Sequence, residues 1–69
     1  MSGIHVTPSD GKWKVRRAGA SRALRIFDSE GKAIFHAMDI ALNTGAILYC
    51  HDKTGLIYER RELAHITQR

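Results

Sequence analysis

Apolar residues between Asp28 and Gly45 recur at helical spacing, and the segments on either side alternate as strands do. With side chains placed about 100° apart from Ile34, Ala37, Ala41, Met38 and Leu42 fall within roughly 80° of it. Ala33, Phe35 and Ile40 lie on the shoulders of this arc, and Lys32, His36, Asp39 and Asn43 take the opposite side. Asp28 is the predicted N-cap, because its carboxylate accepts free N–H groups of the first turn and suits the positive end of the helix dipole. Gly31 weakens that first turn, and Gly45 fits the left-handed position that closes a helix. The arc is wider than the roughly 100° that one sheet covers. Phe35 and Ile40 therefore ask for a further surface, either a second copy or protein partner, or cover from loops, the Tyr49 or Tyr58 rings, or Leu63 and Ile66.

Before the helix, Gly3 to Pro8 is rich in β-branched residues and runs into Ser9-Asp10-Gly11, a natural hairpin turn. Pro8 cannot donate to a ladder and so marks a strand end or an edge. In the return strand Trp13, Val15 and Arg17 alternate with Lys12, Lys14 and Arg16, which sets an apolar face against a basic one. Ala18 to Ser21 reads as a loop, and Arg22 to Phe27 as a third strand with Leu24 and Ile26 opposite Arg25 and Phe27. After the helix, Ala46 to His51 is a nearly continuous apolar strand. Asp52-Lys53-Thr54-Gly55 then makes a tight turn closed by a left-handed glycine, and Leu56 to Arg61 returns with Ile57 expected on the core. The expected fold is α+β: one small domain spanning 1–69, with an antiparallel sheet of four to five strands packed on one helix. Its order is β-β-(β)-α-β-β, built from two hairpins. The ordered core is expected over about 3–62, with a frayed tail over 63–69.

These features resemble a small family of uncharacterised bacterial and phage proteins, domain of unknown function 2188. The residues carrying the resemblance are His5-Val6 with Pro8, Gly11 with Trp13 and Val15, then Arg17, Gly19-Ala20 and Arg22. It continues through Asp28, Ala33-Ile34, Ala37 and Ala41 to Leu48, His51, Gly55, Ile57, Glu59 and Arg60. Each is a common residue, so the spacing of the whole set carries the specificity. Lys12 departs from a frequent second glycine, Gly31 from the acidic residue of a capping box, and Phe35, Met38 and Ile40 from smaller or more polar residues. The resemblance brings no activity with it.

At 69 residues the chain holds one small core, marginal alone and helped by a partner or a second copy. The N-terminus has no apolar signal core and no run reaches membrane-spanning length, so a soluble cytoplasmic protein with no membrane association is expected. Cys50 is the single cysteine, which excludes an internal disulfide and a multi-cysteine zinc site.

Charge is unevenly divided. Residues 1–27 hold six cations against Asp10, a net +5, while residues 28–69 hold five cations against six carboxylates, a net −1; together they give the chain's +4. The basic first third points to a polyanionic partner. Lys12, Lys14 and Arg16 on one face, with Arg22 and Arg25 on the neighbouring strand, form the candidate nucleic-acid contact, and Arg60 and Arg61 extend it. The plainer reading is a solvated face that discourages edge pairing. Aromatic residues are scarce on that face, which argues against a single-strand platform.

Chemistry of other kinds finds little support. His5, His36, His51 and His65 with Cys50 lack metal-ligand spacing, so neither a metal nor a cofactor is expected, and His5 is assigned to fixing the hairpin. Cys50 lies in an apolar strand rather than beside a base, and Ser9 and Ser21 sit in turns without a nucleophile elbow. A non-catalytic binding module is the leading expectation. A protein-interaction or homo-oligomeric scaffold, with Phe35 and Ile40 at its interface, is the rival.

Overall fold

The computed structural model describes residues 3–62; the predicted fraying of 63–69 and the suggested cover from Leu63 and Ile66 lie outside them. Five strands and one helix follow in the order β1 (Gly3–Ser9), β2 (Lys12–Arg17), β3 (Arg25–Phe27), α1 (Glu30–Thr44), β4 (Ile47–His51) and β5 (Ile57–Glu62). They form one open sheet, ordered β3-β2-β1-β4-β5. The α+β architecture of two hairpins on one helix stands as read from sequence.

The sheet is mixed, however, because β1 and β4 pair in parallel while the other three pairs are antiparallel. A strand–helix–strand connection brings the chain back in the direction from which it left. Since β3 runs parallel to β1, the crossover through α1 makes β4 parallel to both. That one pair joins the two halves of the chain.

Local chemistry sets the turns. Asp10 and Gly11 both take positive φ, 52° and 76°, which is the mirror-image turn whose twist matches a two-residue hairpin. In the β4–β5 turn the Asp52 carboxylate accepts from the Thr54 and Leu56 N–H groups at 2.9 and 3.1 Å and from the Thr54 hydroxyl at 2.6 Å. These bonds, the Thr54 hydroxyl foremost, hold the Asp52 carboxyl below its ordinary pKa. Between β2 and β3 the loop is longer than predicted, and only Arg25–Phe27 of the expected 22–27 forms a strand.

Ser29, not Asp28, caps the helix: its backbone is extended and its hydroxyl accepts from the Lys32 N–H at 3.2 Å. Asp28 lies one residue further out and pairs with the Lys32 ammonium at 3.5 Å. Gly45 closes the helix as expected, in the left-handed conformation at φ 76°, donating to the Ala41 carbonyl at 2.8 Å.

Ala33, Ala37 and Ala41 are the buried residues of α1. They recur every four residues, so the small side chains form the central stripe and Ile34, Met38 and Ile40 flank it against the core. The sheet-facing direction is thus turned about 60° from the one centred on Ile34. This turn corrects two assignments. Ile40 packs on the core rather than seeking another surface, and His36, assigned to the polar side, is half-buried with its ring 5.3 Å from that of Phe27. Phe35 points away and is 77% exposed.

Beneath the helix lie Ile4, Val6, Val15, Ala46, Leu48 and Cys50, with Trp13 and Phe27 packed at the margin. Burial pushes the Cys50 thiol pKa up, as expected for a small core hydrophobe. A bulge between Cys50 and His51 alters β5. Glu59 and Arg61 pair with Cys50 and Leu48 on the helix side, and the extra residue, Tyr58, donates its hydroxyl to Glu30 at 2.5 Å. Glu30 at this distance raises the Tyr58 pKa, since the phenol must keep its proton to donate. Ile57 pairs with His51, so it stands on the far side of the sheet, 49% exposed, rather than on the core as predicted.

Candidate nucleic-acid interface

Alternation along β2 places Lys12, Lys14 and Arg16 on the sheet face opposite α1, because the intervening Val15 is fully buried under the helix. Their cross-strand partners on β1 are Ser9, Thr7 and His5, and Lys14 also faces Ile26 of β3. All four partners are neutral or weakly basic. Among the described residues, none of the three cations enters an ion pair; the pairs present are Lys32–Asp28, Arg60–Glu62 and Arg61–Glu59. Three adjacent positive charges therefore face solvent uncompensated.

The remaining predicted contacts divide. Arg25 pairs with Val15 and so lies on the helix side, where its guanidinium sits 5.4 Å from the Phe27 ring centre. Arg22 is exposed in the loop before β3. Arg60 pairs with Tyr49 on the open face, whereas Arg61 turns to the helix side, bonded to Glu59 and approaching the Met38 sulfur at 3.8 Å.

An aromatic cluster, missed in the sequence, shares the open face. His5 of β1 is paired with Tyr49 of β4, and their rings stack with centres 4.9 Å apart and planes 17° from parallel. The Tyr49 ring leans over Gly3, where an added Cβ would come within 2.9 Å of its Cε2 atom. His5 Nδ1 lies 2.8 Å from His51 Nε2, and His51 Nδ1 lies 3.0 Å from the Gly55 carbonyl. A carbonyl only accepts, so His51 donates from Nδ1 and receives at Nε2 the proton of His5 Nδ1. Partial burial first, then the charges of His51 and Arg16, lower the His5 pKa. His5 thus fixes the β1–β4 junction, not the Pro8 hairpin.

Residues 4–63 match the family model of DUF2188, described as an uncharacterised protein conserved in bacteria. The chain belongs to this family. No curated protein and no solved structure shows significant similarity to it. Membership of DUF2188 assigns no activity, so the site rests on its own geometry. Nor does any helix among the described residues have the length and apolar character to cross a membrane. The described residues likewise contain no cluster of three or more metal-ligating side chains.

Proposed function

We propose that this protein is a non-catalytic, cytoplasmic binding module whose open sheet face contacts nucleic acid or a similar polyanion. The observation that carries the reading is the row Lys12, Lys14 and Arg16, aligned on one face with no carboxylate among its cross-strand partners. Such a row releases condensed counterions when it meets phosphates, which makes affinity fall with salt. The cations stand on a sheet held rigid from its other side by α1, so the charge is presented at fixed spacing. Arg60, paired with Tyr49 on the same face, can broaden the contact, and Arg25 is assigned to packing on Phe27 instead.

Titration of duplex and single-stranded oligonucleotides at several salt concentrations tests the proposal. Binding is expected at low salt and is expected to vanish in the double variant Lys14→Glu, Arg16→Glu. Absence of binding at low salt, or binding indifferent to both reversals, overturns it.

A second reading, a homo-oligomer or protein-interaction module, is favoured by Phe35, which stands 77% exposed on the outer side of α1. Sedimentation of the wild type and Phe35→Asp separates the two. A wild-type dimer that dissociates in the variant supports it, and monomers in both exclude self-association through Phe35.

A further inference from the structure

Four strands contribute to one straight rung across the open face: Arg16 of β2, His5 of β1, Tyr49 of β4 and Arg60 of β5, each paired with the next. The rung reads cation, aromatic, aromatic, cation. Strand spacing puts its ends about 14 Å apart, with the two rings between them. Resting on the reading of this face as a nucleic-acid contact, we propose that its ligand is single-stranded nucleic acid. The His5 and Tyr49 rings cover each other's inner faces, so a base stacks on the outer face of one of them, and the flanking phosphates meet Arg16 and Arg60.

Three features favour a single strand over a duplex. Bases inside a duplex show only their edges, whereas unpaired bases offer the flat faces that aromatic side chains bind. Both rings remain half-exposed on the side away from α1, and no described element lies over them. They are also held in place before any ligand arrives, Tyr49 by packing over Gly3 and stacking on His5, and His5 by its bond to His51. Little side-chain freedom remains to be lost on binding. The adjoining Lys14 and Lys12 continue the positive track along β2 toward the β1–β2 turn, and the exposed pair of Arg60 with Glu62, at 3.9 Å, holds Arg60 only weakly.

The test compares labelled oligothymidylate and oligouridylate with a duplex of equal length, by fluorescence anisotropy at low salt. Wild type is expected to prefer the single strands. Tyr49→Leu keeps an apolar group over Gly3 and is expected to weaken single-strand binding by roughly 5- to 150-fold, the range of base–aromatic stacking. Its duplex binding should be unchanged, and Tyr49→Phe should bind single strands as the wild type does. In the wild-type protein, adding oligothymidylate should shift the ring-proton resonances of His5 and Tyr49, a readout independent of any variant's folding. Equal binding of duplex and single strands, or His5 and Tyr49 resonances that stay still while oligothymidylate binds, overturns the single-strand assignment and leaves the broader polyanion reading standing. No binding of any oligonucleotide overturns both.

Discussion

The two faces of the sheet use the same strands for opposite purposes. Under α1 the buried side chains are apolar and close on Ala33, Ala37 and Ala41; among the described residues no polar one is buried, and Arg25, Glu59 and Arg61 stand on this side outside the core. On the other face cations, histidines and a tyrosine stand side by side without a covering helix. Strand alternation ties the two together, because each residue that deepens the core moves its neighbour to the open side. Core packing and the open-face charge thus fall on alternate positions of the same strands.

Substitutions on the two faces should therefore differ sharply. Leu48→Ala, at a fully buried position under the helix, is expected to cost about 2–5 kcal/mol in denaturant unfolding. For a domain of this size such a loss threatens folding itself. Lys14→Glu with Arg16→Glu, on the opposite face, should leave stability within about 0.5 kcal/mol per site while removing nucleic-acid binding. If both sets destabilise alike, the division between the faces fails.

Ser29→Ala should cost about 1 kcal/mol by leaving the Lys32 N–H without its hydroxyl acceptor, while Asp28→Ala should cost less, since its exposed pair with Lys32 is a weak one. Thermal unfolding of the two variants decides which residue caps the helix.

The smallest effect concerns pH and the open face alone. The folded chain holds the His5 pKa below its ordinary value of 6.5, so the unfolded chain takes up that proton first. Stability should be fully present above about pH 6.5 and decline as pH falls from there through the lowered folded value. His5→Gln should flatten this part of the pH–stability curve, and an unaltered slope would show that another group is responsible.

Much of this organisation was legible in the chain. Two turns, the helix with its Gly45 closure, and the basic alternation of Lys12, Lys14 and Arg16 follow from local rules about φ angles and periodicity. What escaped was whatever depends on contacts distant in sequence. The helix orientation departs from the apolar arc because bulky Ile34 draws the centre of that arc, whereas close approach to the sheet favours the alanines. The sequence pattern shows few aromatics on the basic face because Tyr49 reaches it only through the parallel pairing of β1 with β4, 44 residues apart at His5 and Tyr49. Alternation in Leu48-Tyr49-Cys50-His51 did show that Tyr49 and His51 share a side. It could not show that this side is also that of Arg16.

The bulge at Tyr58 acts as a half-period phase shift written into an edge strand. Without it, continuous pairing from His51–Ile57 would bring Tyr58 opposite Cys50, Glu59 opposite Tyr49 and Arg60 opposite Leu48. A carboxylate, Glu59, would then terminate the aromatic rung, while an arginine would stand opposite Leu48 in either register, Arg60 in place of Arg61. One additional residue puts Arg60 in place of Glu59 opposite Tyr49, so the sign of the charge at the end of the rung is set by counting rather than by composition.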